Sequence, residues 1–423
     1  MQGQMNNGHR VNVAHFSWEY PPTIWGGLGT FATELTLKQS QLGHNVNVFA
    51  INDKNKSKIQ ELYHGVKVNR PTLIDTKDSL SMFINNDLQS WGSNLSFFST
   101  VFEYNLFSAK TLIDQINQQQ SDIDIIEGHD WLGILGGIMA KRSLSIPLIF
   151  HIHSTEQGRS LGHGSPTIQQ IERQGADFAD GVTTVSYAMK LELEQLGYPK
   201  EKIRVCWNGI DPDKYCMEKI PKEKIAALRN RYGINENEVF LFFIGRLVSV
   251  KGIRELIQAM PAILENHPNV KLVALGVGDL EQELKETIKF LKIENNVIFR
   301  TEFVPEDERI LHYAASDIVV LPSLYEPFGI VCTEAMSMGK PVVVGARGIN
   351  GMKEQVISDG DQQCGVHINP YDPADIAWGI TLLLDSPDSW KWIGDNGRKR
   401  VFEFFTWEHV AKRSLEIYNE FIL

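Results

Sequence analysis

Two glutamates eight positions apart, Glu326 and Glu334, stand in the segment from Leu321 to Pro341 and could hold sugar and ribose hydroxyls beside a phosphate. The apolar run 317–321 predicts a buried parallel strand. Pro322 and Pro327 exclude regular structure, so Ser323 to Phe328 reads as a loop. From Gly329 the spacing of Ile330, Val331 and Ala335 turns helical, and Gly339 before Pro341 ends the helix. Glu326 therefore falls in the loop and Glu334 on the helix, one turn beyond Ile330. Such a loop offers free backbone N–H groups at a partly positive helix start, a seat for a diphosphate. Taken singly, each is better explained as a surface charge, Glu326 in a solvated loop and Glu334 exposed on its helix. The segment as a whole is not.

The segment resembles the Glu-x7-Glu motif of retaining nucleotide-sugar glycosyltransferases with the GT-B fold, most closely those of family 4. That resemblance implies that Glu326 contacts the donor sugar and Glu334 the ribose. It also implies backbone contacts from Phe328, Gly329 and Ile330 to the sugar and phosphates.

Positive charge comes from another loop. Phe240 to Ile244 is a fully apolar stretch, the mark of a central parallel strand, and it opens into Gly245-Arg246 and then Lys251-Gly252. Two cations five residues apart fit a diphosphate clamp, Arg246 as a fork and Lys251 as a compact charge. By resemblance they steady the leaving diphosphate. A strand over 270–275 runs into Gly276-Val277-Gly278, too short for a dinucleotide fingerprint. The family resemblance places Gly278 beside the nucleotide and Val304 near its base. A longer loop, Gly348 to Gly351, departs from the family's usual turn before Glu354.

The first half carries the remaining candidates. Gly26-Gly27-Leu28-Gly29 lies between a strand (11–16) and a helix through Leu35, where backbone can approach a phosphate. Gly27 and Leu28 are the expected donor contacts, and Gly-Gly-Leu resembles the loop of glycogen synthases. Ile24 stands where bacterial ADP-glucose-using synthases have lysine. A strand over 122–127 ends in Gly128-His129-Asp130-Trp131, with a helix expected from Ile134. The strand 147–153 ends in His151-Ile152-His153, which puts both histidines on one face. A metal pair there would need further ligands, and structural histidines are the plainer reading of His151. The run His153-Ser-Thr-Glu-Gln-Gly-Arg159 resembles the catalytic-histidine loop of glycogen and maltose-1-phosphate synthases. That resemblance puts His153 against the donor sugar near the reacting carbon and Asp130 on the acceptor side. Arg159 could bind an acceptor phosphate or be a surface arginine.

The elements that must hold these residues alternate strand and helix through both halves, with one turn cluster at Asn208-Gly209-Ile210-Asp211. An α/β protein of two doubly wound Rossmann-like domains facing a cleft follows, the GT-B architecture of the resemblance. The expected division is 1–208 on the acceptor side, 209–404 for the nucleotide sugar, and a terminal helix 405–423 crossing back. Residues 54–105, including the aromatic stretch 91–104, read as irregular embellishment with short strands.

Composition narrows the class. A chain of 423 residues suits two domains, and 43% hydrophobic with 22% charged residues is ordinary for a globular protein. A net charge of −11 argues against nucleic acid and against electrostatic binding to anionic lipid. Cys206, Cys216, Cys332 and Cys364 lack metal spacing, and the polar start, 1–10, lacks a signal-peptide core. With no membrane-length apolar run, a cytoplasmic enzyme with no transmembrane anchor is expected. The resemblance implies retaining hexosyl transfer, of glucose, from a donor such as UDP- or ADP-glucose to an α-glucan or glucosyl acceptor. It implies no cofactor and no metal. Maltose-1-phosphate synthesis, another phosphorylated or lipid-linked acceptor, a nucleotide-sugar epimerase and a non-catalytic binding subunit are the alternatives.

Overall fold

The computed structural model describes residues 10–74 and 94–422. Its first sheet has eight strands in the order β3-β4-β2-β1-β5-β6-β7-β8. They are β1 (Asn12–Phe16), β2 (Asn45–Phe49), β3 (Gln60–Tyr63), β4 (Val66–Asn69), β5 (Ile125–His129), β6 (Leu148–Ile152), β7 (Gly181–Thr184) and β8 (Ile203–Val205). All pairings are parallel except that of β3 with β4. The second sheet is wholly parallel, in the order β11-β10-β9-β12-β13-β14. Its strands are β9 (Val239–Ile244), β10 (Val270–Leu275), β11 (Val297–Arg300), β12 (Ile318–Leu321), β13 (Val342–Gly345) and β14 (Gly365–Ile368).

Strand order reverses at β1/β5 in the first sheet and at β9/β12 in the second, leaving a crevice at the carboxyl ends of those strands. The reversal at β9/β12 sets the Arg246–Lys251 loop beside the Glu326 loop. In both lobes the central strands are buried, as their continuous apolar runs require. This is the GT-B architecture expected from the sequence.

Three local expectations shift. β5 begins at Ile125 rather than 122, because Asp124 turns aside to accept from Asn12 N (2.7 Å) and Nδ2 (2.9 Å). It continues through Gly128 and His129, which pair with Phe16 and His151. The following helix then starts at Asp130, not Ile134, with no loop between. Asp130 takes up the sharp turn in the left-handed region, at φ +50°. The third shift is a helix, Asn94–Asn117, where irregular structure was expected. Its buried stripe includes Val101, Tyr104, Ala109 and Leu112 but also Asn105, Ser108 and Gln115. Those polar members hide the helical period in the sequence. Asn105 donates to Leu132 O (2.8 Å) and Gln115 to Asn69 Oδ1 (2.9 Å). The short strands expected nearby are β3 and β4, while residues 75–93, with part of the aromatic stretch, and residues 1–9 lie outside the described residues.

The chain crosses between lobes twice, and the crossings touch. Ile210 N donates to Phe405 O (2.8 Å), and Ile210 bridges Thr406. The terminal helix Trp407–Asn419 then packs on the first lobe against the helix Gly27–Gln41. No helix among the described residues is long and apolar enough to cross a membrane. Trp407 is 6% exposed and meets Phe31 edge-on at 5.8 Å between ring centroids. Trp407→Ala should lower unfolding free energy by about 3–5 kcal/mol. A urea midpoint equal to that of the wild type would show that the terminal helix does not fasten the lobes.

Candidate active site

A cavity of about 800 Å³ opens between the lobes. Its lining includes His153, Arg159, Gly27 and Leu28 from the first lobe. From the second come Arg246, Lys251, Val304, Glu326, Phe328, Gly329, Ile330 and Glu334. Asp130 and Gly278 are not part of the wall. Gly278 packs on Leu247, whose carbonyl oxygen would stand 2.3 Å from an added Cβ, and Gly276 and Val277 line the cavity in its place.

The Glu326 loop is held from three sides. Glu326 N donates to Ile349 O (3.1 Å), Gly351 N donates to Glu326 O (2.7 Å), and the Glu326 carboxylate accepts from Lys251 Nζ. Asn350 Nδ2 donates to Ser323 O (2.8 Å), so the loop before Glu354 buttresses this segment. Gly329 caps the helix Ile330–Ser337 at φ +91°, and an added Cβ would meet Met352 Cγ at 2.6 Å. Glycine is required there on both counts. No side chain caps that helix start, and although Cys332 N donates to Gly329 O (2.9 Å), Ile330 and Val331 line the cavity at its first turn. Glu334 is 5% exposed, accepting from Tyr215 OH (2.8 Å) and Tyr313 OH (2.6 Å) on separate oxygens. Each oxygen keeps a second lone pair.

On the opposite wall, Glu19 Oε2 accepts from Trp25 N (2.8 Å) and Gly26 N (2.9 Å), which fixes the glycine loop. A Cβ on Gly26 or Gly27 would meet nothing within 4 Å, so these glycines present bare backbone to open space. His153 N donates to Asp130 Oδ1 (2.8 Å), tying the histidine loop to the strained turn after β5. Burial raises the Asp130 pKa above the ordinary carboxylate value, against the pull of Arg159. Arg159 is engaged by its own loop and by the helix Pro166–Phe178. Nε donates to Glu156 Oε2 (2.9 Å), NH2 to Glu172 Oε1 (3.1 Å) and NH1 to Ser154 O (3.1 Å). Burial works against the Arg159 charge, but Glu172, Asp130 and Glu156 outweigh it.

Behind His153 runs a column of buried histidines. His153 Nε2 meets His129 Nδ1 at 3.1 Å, and His129 Nε2 meets His15 Nδ1 at 3.1 Å. Glu127, 1% exposed, faces His15 Nδ1 and His151 Nδ1, each at 3.0 Å, and accepts from Tyr418 OH. Burial tends to raise the Glu127 pKa, yet His129 and the hydrogen bonds of His15 and His151 bring it well below the ordinary value. Burial pushes His129 down to about 3 and, with His151 and His129 as neighbours, His153 well below the ordinary histidine value. Both rings are therefore neutral near pH 7. Ligand atoms of His129, His151 and His153, and of His15, Glu127 and His129, cluster within 4.8 Å. The His151 and His153 rings, however, stack at 4.2 Å with planes 4° apart. Lone pairs in parallel planes do not converge on one ion, so this grouping is a hydrogen-bonded column rather than a tetrahedral site.

Tyr325, next to Glu326, projects into the first lobe. Its hydroxyl donates to Glu192 Oε2 (3.0 Å) and accepts from Thr155 N (3.4 Å), two residues beyond His153. The ring lies over Gly158, where an added Cβ would come within 2.0 Å of it. Sequence reasoning missed Tyr325, Tyr215, Tyr313 and the histidine column. All act through contacts distant in the chain, and only the histidines at alternate strand positions hinted at theirs.

Gly158→Ala should separate the Glu326 and His153 loops and cut kcat/KM about a hundredfold, as misplacement near 1 Å does. Unchanged kinetics would show that Tyr325 does not set the cleft. Residue 129 also makes stability depend on pH. Between about 3 and the ordinary histidine value of 6.5 the unfolded chain binds a proton there that the folded chain does not. Stability therefore rises with pH across that window and is lost as pH falls. Urea midpoints from pH 7.5 to 5 should fall more shallowly for His129→Asn, and equal slopes would contradict the assignment.

Comparison with known proteins fits this geometry. The model described as "Glycosyltransferase Family 4" matches residues 25–214, and "Glycosyl transferases group 1" matches 224–400. An uncharacterised glycosyltransferase of Methanocaldococcus jannaschii is 33% identical over 97% of this chain and 98% of its own. A glycogen synthase of Mycobacterium tuberculosis is 29% identical over 96% and 94%. An α-maltose-1-phosphate synthase of Mycolicibacterium smegmatis is 28% identical over 97% and 99%. Among solved structures, a sucrose-phosphate synthase of Thermosynechococcus elongatus superposes with TM-score 0.76 at 20% identity, over 97% of this chain and 99% of that one. With both lobes matched and the cleft residues facing each other, the chain belongs to the family 4 glycosyltransferases and is a GT-B hexosyltransferase that acts on a nucleotide sugar.

Proposed function

We propose that the enzyme transfers glucose, with retention, from a nucleoside diphosphate glucose to an α-glucan or other glucosyl acceptor, in the manner of a glycogen synthase. The observation that carries this reading is the facing of Glu326 and Lys251 by His153 across one cavity. In the proposed complex the diphosphate lies on the N–H groups after Gly329 and takes hydrogen bonds from Arg246 and Lys251. Arg246 is exposed and makes no side-chain bond among the described residues, so it is free to turn onto phosphate. Lys251 moving to phosphate releases Glu326 to the hydroxyls of the sugar. Glu334 receives the ribose, and Phe328, Ile330 and Val304 border the nucleotide, with Gly27 and Leu28 opposite. Asp130 acts on the acceptor side through its hold on the His153 loop.

Front-face attack assisted by the leaving diphosphate suits a site whose sugar-facing carboxylate, Glu326, is held to Lys251. Neutralising the leaving group is the main electrostatic demand, and two cations meet it without a metal. Arg159 supports an uncharged acceptor, because its guanidinium is already spent on Glu156 and Glu172. That weakens the maltose-1-phosphate alternative. Ile24 lining the cavity, in the position of the synthases' lysine, speaks against strict ADP-glucose preference. The proposed units remain 1–208, 209–404 and 405–423. Four buried, unpaired cysteines support a reducing, cytoplasmic setting.

The test is nucleoside diphosphate release from UDP-, ADP- and GDP-glucose, with glycogen, glucose 1-phosphate or no acceptor. Release that needs glycogen is expected. A requirement for glucose 1-phosphate would move the assignment to disaccharide-phosphate synthesis, and turnover without any acceptor to an epimerase. Binding without turnover would favour a non-catalytic subunit. Lys251→Ala and His153→Ala should each lower kcat roughly a hundredfold or more, and near-normal rates would remove that residue from the chemistry.

A further inference from the structure

The histidine column has a direction. Gln39 Nε2 donates to Ser414 Oγ (3.1 Å) and Tyr418 OH (3.2 Å), while Ser414 Oγ and Tyr418 OH donate onward to Ala411 O and Glu127. That fixes the amide with Oε1 toward His15 Nε2, at 2.9 Å. His15 thus faces an acceptor on each side, Gln39 Oε1 and the Glu127 carboxylate, so each ring nitrogen is placed to donate. His129 Nε2, 3.1 Å from the N–H at His15 Nδ1, must then be a lone pair. In a neutral His129 ring the hydrogen sits on Nδ1 and is donated to His153 Nε2. His153 Nε2 is the acceptor, so its own hydrogen sits on Nδ1.

We propose that Glu127, acting through His15 and His129, is a positioning residue that fixes His153 in the Nδ1–H tautomer. His153 then offers the cleft an N–H donor rather than a proton acceptor. Nδ1 is the ring nitrogen left for a ligand, because Nε2 is taken by His129. A fixed donor suits a sugar hydroxyl or an oxygen gaining charge as the diphosphate leaves, and no proton need be removed by this ring. Glu127 Oε2 lies 3.8 Å from His129 Nε2, beyond hydrogen-bond distance. His151 Nδ1 donates to the other Glu127 oxygen, Phe31 meets the His129, His151 and His153 rings edge-on, and Asp130 takes the His153 backbone rather than its ring. The role in transfer rests on the proposed reading of the cleft as the donor site, whereas the tautomer does not.

The experiment uses the full chain with ring-¹⁵N-labelled histidine and no substrate, the His153 signals being assigned by their loss in His153→Ala. Expected is a protonated Nδ1 and an unprotonated Nε2, and the reverse pattern would overturn the proposal. In Glu127→Gln the His153 pattern should shift toward protonated Nε2 and kcat should fall on the order of a hundredfold, with donor KM little changed. His15→Gln, which breaks the relay one ring later, serves if Glu127→Gln fails to fold by circular dichroism, with the same two results expected. A changed tautomer with unchanged kcat would overturn the catalytic part. A wild type inert toward every nucleotide sugar would overturn the donor-site reading, while its spectrum still decides the tautomer.

Discussion

The two halves of the site are joined through Tyr325, which leaves the loop of Glu326 and is buried among first-lobe residues. Its hydroxyl satisfies Glu192 and meets the backbone of Thr155, and its ring occupies the space that Gly158 leaves open. Glu192 in turn accepts from Thr155 Oγ1 (2.9 Å), and Thr155 caps the short helix Glu156–Arg159. A tyrosine adjacent to one candidate group thus rests on the loop of the other. The spacing between Glu326 and His153 follows from this contact rather than from either sheet. A second bond across the lobes supports it: Glu354 accepts from Tyr187 N and Ala188 N, at the start of the helix Tyr187–Gln195, and from Trp207 Nε1. A carboxylate at a helix start is favourably placed against the partial positive charge there.

The first lobe is organised around a second constraint, the buried charge of Glu127. A carboxylate removed from water is stable only if its lone pairs are met by donors. Those donors come from His15 on β1, His151 on β6 and Tyr418 on the terminal helix. The same carboxylate therefore links three neighbouring strands to the helix that crosses back from the second lobe. This explains why a helix so far along the chain packs where it does, and why the column ends at His153, on the wall of the cleft.

Much of the fold was readable because its elements obey local rules. The apolar strands β9 and β12, the prolines around the Glu326 loop and the glycine stop at Gly339 mark their own boundaries. The helix Asn94–Asn117 was not readable, because Asn105, Ser108 and Gln115 occupy its buried stripe, and the partners of Asn105 and Gln115 include groups distant in the chain. The turn at Asp130 was hidden for a similar reason: a residue at φ +50° is supported by bonding to His153 N in another loop. Within the site, residue types and spacing brought out Glu326, Glu334, Arg246, Lys251 and His153. They could not reveal that Arg159 is spent on Glu156 and Glu172, or that Gly278 serves packing on Leu247.

By itself the sequence determined the chemistry available to this protein: two carboxylates, two cations and a histidine loop, in the loop and helix segments that follow strands. That much is local, since strand, loop and helix are set by short-range periodicity and by proline and glycine. Only the tertiary structure decided how those groups face one another, which of them are already paired, and which way the hydrogens run behind His153. Those properties depend on contacts between residues hundreds of positions apart, such as Tyr418 with Glu127, and the cost of burying an unpaired polar group selects them.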